Sequence, residues 1–328
     1  MPVVLTSAAR VRLARMCQFG VPMVVLKLAT LCHMAGLVDG LCILDAVEGF
    51  AGEAAITKSL RSHCLLAVAY DYKYDAVLQN ILNPYGYVFL LSLVLRLGPL
   101  GVMWLAVVCS SWVWVSRSST KRSFVKPMGE ESHASVKQSN VMVSRATILI
   151  YICEALSLLW FLEQPSTSLM ILHKRFQELL KFLSSKKKKV WSTRVWLGLF
   201  GAESPKPLII YSNEPCVAHL NKHQTQVHLP PSGQDVMYTR NENGKMTGVP
   251  DMLKASQTYT PGFGRAVATV VMAYRRGVIL NTDSIVPLSD DDIAFILECQ
   301  LDDPWLDAEL DSVFQVLDIL VKHRASGV

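Results

Sequence analysis

Two short motifs in this chain pair reactive residue types with positions where reactions take place. Cys109-Ser110-Ser111-Trp112 follows the apolar run Val102 to Val108, and Glu163-Gln164-Pro165 closes the run Leu158 to Leu162. Each run has the length and texture of a strand buried on both faces. Ligands of open α/β sheets bind beyond the carboxyl ends of the strands, so a thiol and a carboxyl placed there can face one substrate. A thiolate adds to electron-poor carbon once neighbouring cations or a helix N-terminus lower its pKa. Arg117, Lys121 and Arg122 follow Cys109 closely and are the candidate cations. Glu163 can protonate or hydrogen-bond a ring nitrogen. The competing readings are an inert buried cysteine and a carboxylate that anchors the next helix.

The elements that must hold these groups begin after Gly40. Leu41 to Glu48 reads as a strand, Gly49-Phe50-Ala51-Gly52 as a tight turn, and the stretch to Leu60 as a helix. A second strand, Cys64 to Ala69, ends in Tyr70-Asp71 and starts a βαβ unit. In Glu48-Gly49-Phe50-Ala51-Gly52-Glu53-Ala54 an acid at a strand end precedes small residues that let a ligand approach the backbone. A plain structural turn is the rival. Asp71 stands where an acid accepts hydrogen bonds from ribose hydroxyls, or where a carboxylate caps a loop.

Tyr87 to Arg96 reads as a buried helix, Leu97 to Gly101 as a break, and Ser116 to Asn140 as a long polar loop. A helix over Val141 to Ser157 leads into the Glu163 strand, and Pro165 to Ser168 supplies a turn and N-cap for a helix to Leu183. Trp191 to Leu199 and Leu208 to Ser212 read as strands, and Arg265 to Tyr274 as a helix. Strands alternating with helices predict a mostly parallel sheet. The expected organisation is an N-terminal extension or helix (1–38), a core (39–213), a small irregular substrate-facing or capping region (214–280) and an acidic helical tail (281–328). That tail reads as two amphipathic helices broken near Asp302-Asp303-Pro304, with Trp305, Leu306, Val313, Phe314, Val316, Leu317 and Ile319 available for packing.

Charge is divided unevenly: residues 1–288 carry 30 Lys+Arg against 17 Asp+Glu, and 289–328 carry 2 against 10. A basic body suits phosphate-rich partners, and an acidic tail can screen it or occupy the same groove; a merely solvated basic surface is the alternative. The eight cysteines are scattered without a Cys-x-x-Cys pair, as expected of free thiols in a reducing compartment. Arg10, Arg12 and Arg15 beside an apolar stretch resemble a targeting sequence, but Lys27 and His33 interrupt it. Cys216, His219, His223 and His228 match no standard zinc spacing, so no metal is expected. Gly-x-Ser-x-Gly, a phosphate loop and His-Glu-x-x-His are all missing, which removes support for those enzyme classes. Leu97 to Val115 and Met16 to Val38 approach the ~20 apolar residues of a membrane span, so an integral membrane protein is the third alternative. Gly98-Pro99, Gly101 and the β-branched texture of 102–108 argue for a strand instead.

Taken in order, these pieces resemble a class I S-adenosylmethionine-dependent methyltransferase, and more narrowly the cytosine-C5 DNA methyltransferases. Glu48 to Ala54 stands in place of that family's Asp-Leu-Phe-Ala-Gly-x-Gly, and Asp71 matches its ribose-holding acid. Cys109 sits where the family has Pro-Cys-Gln-x-Phe-Ser, and Glu163-Gln164-Pro165 where it has Glu-Asn-Val, whose Glu contacts cytosine N3. Phe200 to Lys206 looks like a degraded Tyr-Gly-x-x-Gln-x-Arg, and Gly262 to Ala268 more distantly like a closing Gly-Asn-Ala-Val. The stretch from Cys109 to Met170 is similar to a methyltransferase-like family abundant in algal protists and related to mobile-element proteins. Its shared marks are Cys-Ser-Ser-Trp, an Arg-rich loop, Asn140 with Arg145, and Glu-Gln-Pro-x-Ser-Ser-Leu-Met, with Thr167 at the first of those serines.

The resemblance covers roughly residues 41–275. It implies a Rossmann-like sheet and S-adenosylmethionine held by Glu48, Phe50, Gly52, Asp71 and Asn80. It further implies catalysis by Cys109 and Glu163, and nucleic acid, DNA in preference, contacted by Arg117, Lys121, Arg122 and Lys206. An intracellular and, for DNA, nuclear location would follow. Val108 replaces the proline before the nucleophile, Gln164 replaces Asn, and Asn80-Ile81 stands where Asp-Ile meets adenine. Impaired catalysis, or a non-catalytic nucleic-acid-binding module of the same fold, is therefore the alternative.

Overall fold

The computed structural model describes residues 4–202, 204–221, 238–240, 242, 246–248, 258–278, 285–301 and 305–326. Its centre is a six-stranded open sheet in the order β2-β1-β3-β4-β6-β5. The strands are β1 (Leu44–Gly49), β2 (Ala67–Tyr70), β3 (Leu97–Leu105), β4 (Leu159–Pro165), β5 (Trp191–Trp196) and β6 (Pro207–Ser212). The first four pair in parallel, and β6 runs antiparallel to both β4 and β5. A separate two-stranded pairing joins β7 (Tyr238–Arg240) and β8 (Met246–Gly248).

Helices cover both faces of the sheet, as a parallel sheet with apolar strands requires. On one face α3 (Ala55–Arg61) and α8 (Pro261–Gly277) pack over Ala46, Val102, Trp104, Phe161 and Ile210. The two helices approach so closely that a Cβ on Gly264 would stand 2.3 Å from the Ala55 carbonyl oxygen. The other face meets a thick layer of α1 (Ser7–Phe19), α2 (Met23–Met34), α4 (Pro84–Leu95), α6 (Ala134–Ala155), α7 (Lys174–Ser185), α9 (Asp290–Glu298) and α10 (Asp311–Ser326). The short α5 (Arg117–Thr120) lies in the connection after β3.

Several sequence expectations shift against this structure. Leu97 to Gly101 is not a break: Leu97 pairs with Leu44, and the register irregularity falls between Leu44 and Ala46. The Cys109 strand stops at Leu105, three residues early, so Ala106 to Val108 belong to the loop that carries the thiol. The supposed loop 116–140 holds α5 and the first turns of α6. Its polar residues misled the reading because they are satisfied within the fold. Ser139 Oγ donates to the Ser135 carbonyl, and Asn140 Nδ2 donates to Met128 O and Glu131 Oε1. The N-cap of α7 is His173, whose Nδ1 accepts from Arg175 N; Ser168 caps only the 3-10 turn at Met170–Leu172.

The N-terminal residues form α1 and α2, whose apolar side chains lie in the same core as α4 and α6. Gly20, at φ 80°, ends α1, and Pro22 opens α2, so Met16 to Val38 is not one helix. No helix among the described residues is long and apolar enough to cross a membrane. The acidic tail packs on the helical layer through Trp305, Val313, Val316 and Leu317, whereas Leu306 and Ile319 point to solvent. Arg145, buried on α6, holds it there: Nε donates to Ala308 O at 2.9 Å, Nη2 to Glu309 O at 2.8 Å, and Nη1 to Ile81 O at 2.6 Å.

Candidate functional site

β1 has β2 on one side and β3 on the other, so the chain changes direction across the sheet between them. A crevice opens at the carboxyl ends of adjacent strands at such a switch. Glu48 ends β1 here and faces α3: its Oε2 accepts from Thr57 N at 2.7 Å and Thr57 Oγ1 at 2.6 Å. Its Oε1 is buried without a partner among the described residues. Burial pushes this carboxyl up to about 7, against the Thr57 hydrogen bonds. Phe50, Gly52 and Ala54 all adopt positive φ, at 61°, 55° and 55°. A Cβ built on Gly52 would meet nothing within 4 Å, so the outer side of this turn is open. Asp71 braces the turn from β2: its Oδ2 accepts from Gly52 N at 2.8 Å and its Oδ1 from Lys73 N at 3.0 Å. Asp71 thus supports its own loops, as the loop-capping alternative expected. Asn80 lies further along, where its Oδ1 accepts from Leu82 N.

Cys109 and Glu163 come together at the ends of β3 and β4, which pair directly through Leu105 and Leu162. The half-buried thiol is raised by desolvation and then by the negative charge of Glu163, with Lys206 opposing both. Burial likewise raises Glu163, while Lys206 and the Tyr259 hydroxyl pull it down. Tyr259 donates to Glu163 Oε2 at 2.7 Å, leaving Oε1 buried and unpartnered. The Tyr259 ring stands edge-on to Trp104 at 6.0 Å and close to Phe263 at 4.9 Å. Trp104 Nε1 is also buried, next to the Tyr259 hydroxyl on which it acts. Glu48, Trp104 and Phe161 are aligned across β1, β3 and β4, with Glu163 two residues beyond Phe161 on the same face. One face of the sheet therefore carries two buried carboxyl oxygens, on Glu48 and Glu163, that find no partner among the described residues.

Gln164 ties the two loops together, since its Nε2 donates to Val107 O at 2.6 Å and its Oε1 accepts from Ser168 Oγ at 2.8 Å. The rest of Cys-Ser-Ser-Trp is wedged by packing. Trp112 N donates to Cys109 O at 2.8 Å, Leu169 N donates to Trp112 O, and the Arg122 guanidinium lies 3.3 Å from the centre of the buried Trp112 ring.

The cation assignments divide. Arg122 is neither an activator of the thiol nor open to nucleic acid: it is buried and donates to Ser111 Oγ, Pro127 O and Val136 O. The cation that acts on Cys109 is Lys206, from the connection into β6. Arg117 is half-buried over Phe124, and Lys121 is exposed. The exposed side chains Trp114, Phe124 and Val125 share this loop.

Cys216 and His219 sit in the 3-10 turn Pro215–Leu220, and His223 and His228 lie outside the described residues. Among the described residues no group of three or more metal-binding side chains forms. Sequence reasoning did not find Tyr259, although Thr260 and Pro261 announce a helix start just after it. It also read Gln164 as a family departure and not as a clamp. The chain matches no family model, and comparison with curated proteins and with solved structures returned no match.

Proposed function

We propose that this chain is a class I, Rossmann-like methyltransferase-like protein that uses S-adenosylmethionine and acts on a nucleic acid base, with cytosine in DNA the preferred target. The observation that carries the reading is geometric: Cys109 and Glu163 follow the paired ends of β3 and β4, beside the open turn that follows β1. The residues at the β1–β3 crevice fit such a cofactor: Gly52 leaves the turn open, and Glu48 Oε1 and the braced Asp71 supply acceptors beside Phe50 and Asn80. When bound, the cofactor supplies an electrophilic methyl group.

The chain's own residues then have distinct tasks. Cys109 Sγ adds to the pyrimidine ring after losing its proton, and Glu163 holds a proton against a ring nitrogen. These two protonation states are linked. A proton on Glu163 removes the charge that raises Cys109, and Lys206 is left to favour the thiolate. Tyr259 orients the carboxyl, and Gln164 fixes the loop that bears the sulfur. Lys121, Arg117, Trp114 and Phe124 offer charge and ring faces to an unstacked strand, which a base must join before it can enter such a site.

A binding module without turnover is the second reading, favoured by the raised thiol at Cys109. Calorimetric titration with S-adenosylmethionine tests the shared premise: folded protein that does not bind at millimolar cofactor ends both the cofactor assignment and the methyltransferase reading. Given binding, Cys109→Ser abolishes methyl transfer to cytosine if the thiol is the nucleophile. Nucleic acid binding that falls steeply with salt, without any transfer, selects the second reading.

A further inference from the structure

The amino-terminal edge of the sheet, opposite Cys109 and Glu163, holds a cleft of about 630 Å³ lined by Arg12, Arg15, Phe19, Leu97, Lys188 and Tyr274. Arg12 and Arg15 are one turn apart on α1, and the sequence offered them only as part of a targeting-like stretch. Arg12 Nη2 donates to Leu97 O at 2.8 Å, but Arg12 Nε and Arg15 Nε are buried with no partner among the described residues. Arg15 makes no hydrogen bond or ion pair among the described residues. The two guanidiniums repel, and Arg12 is held below its ordinary pKa by burial and by Arg15, with Asp39 only partly opposing them.

The carboxyls on the far wall do not answer them. Glu154 is engaged by Trp160 Nε1 at 2.7 Å, and Lys188 acts on both Glu154 and Glu214. A buried donor without a partner costs about 1–3 kcal/mol, so a paired set of such donors beside an open cleft marks a place for an acceptor from outside. A carboxylate saturates one guanidinium fork with its two oxygens. A phosphate offers three oxygens and close to two charges, which suits two forks and a nearby ammonium. The cleft volume suits a small molecule, and Phe19, Leu97 and Tyr274 give its organic part an apolar wall.

We propose that this cleft binds a phosphate ester, with Arg12 and Arg15 gripping the phosphate and the organic group lying against Phe19 and Tyr274. The site is separate from the crevice at the other edge and stands whether or not the methyltransferase reading does.

Isothermal titration of the full chain with phenyl phosphate, and with inorganic phosphate for comparison, is the test. The expected result is saturable binding of phenyl phosphate, tighter than inorganic phosphate. Arg15→Gln should weaken it by about tenfold or more, and Lys322→Gln, exposed on α10, should leave it unchanged. Lys188→Gln, at an exposed position, should also weaken binding and provides an independent readout if Arg15→Gln folds poorly. No heat at millimolar ligand, or equal losses in Arg15→Gln and Lys322→Gln, would overturn the proposal.

Discussion

Replacing Gln164 by leucine isolates the contact that sets the distance between the thiol and the carboxyl. β3 ends at Leu105, Ala106 N still donates to Gly49 O at 3.2 Å, and the Cys109 loop is next tied by the 2.6 Å bond from Gln164 Nε2 to Val107 O. Leucine matches the side chain in size but leaves a carbonyl at a 2 % exposed residue without its donor. An unpaired buried acceptor costs about 1–3 kcal/mol, and Ser168 Oγ, freed as well, can turn toward water at little further cost. The expected loss is therefore about 2 kcal/mol, or roughly a 3–6 °C fall in Tm for a chain of this length. Gln164→Glu keeps the shape, lacks the donor and sets a second carboxylate beside Glu163, so it should lose more at pH 8 than at pH 5. Differential scanning calorimetry at both pH values reads both variants. If Gln164→Leu melts within about 1 °C of the parent, the bond does not hold the loop, and the positioning role assigned to Gln164 is wrong.

The electrostatic link at the site is accessible to alkylation. Cys109 should react with iodoacetamide at pH 8 far more slowly than the exposed Cys42 and Cys64, as burial and Glu163 both hold its thiol up. Glu163→Gln should accelerate labelling of Cys109 severalfold in peptide mapping, and an unchanged rate would break the proposed coupling. Glu48 makes a prediction about pH. Its folded pKa of about 7 lies above that of an unfolded carboxyl, so the folded state binds the extra proton and stability falls as pH rises from about 4.5 to about 7. Glu48→Gln, which retains an acceptor for Thr57, should gain roughly 2–3 kcal/mol relative to the parent at pH 8 and nothing at pH 4. Denaturant titrations of both proteins at the two pH values check this. His173, depressed to about 3 by burial, works oppositely by costing stability as pH falls below about 6.5, but it is common to both proteins and cancels.

Hydrophobic runs announced most of the sheet, because buried parallel strands leave uninterrupted apolar stretches in the sequence. The positions of Glu48, Asp71, Cys109 and Glu163 at strand ends followed from those runs. What stayed hidden depends on partners distant in the chain. The polar face of α6 looks like loop until Asp307 is seen accepting from Ser144 Oγ, and Ala308 and Glu309 accepting from Arg145, more than 150 residues away. Arg122 resembles a surface cation in sequence because nothing local shows that Trp112 will stack on it and three acceptors will surround it. Tyr259 escaped for the same reason: its contact with Glu163 spans 96 residues.

The uneven division of charge along the sequence invited the idea of a basic groove screened by an acidic tail, but the fold gives the tail's charges a different use. Asp290 pairs with Arg10, Glu309 with Lys137 at 2.7 Å, and Asp307 with Arg175, which also lies 4.3 Å over the Trp305 ring. Despite its burial, Asp307 is held below the ordinary carboxylate range by Arg175 and Ser144. These acids thus neutralise cations of the helical layer; the Asp307–Arg175 pair is buried, so breaking it costs about 3–5 kcal/mol, while the exposed Asp290 and Glu309 pairs contribute little. Among the described residues, the cations that these acids leave without an ion pair include Arg117 and Lys121 on the Cys109 loop and Arg12 and Arg15 at the far cleft, whereas Lys188 answers Glu154 and Glu214. The net excess of the body over the tail therefore overstates how much charge is free to attract a polyanion.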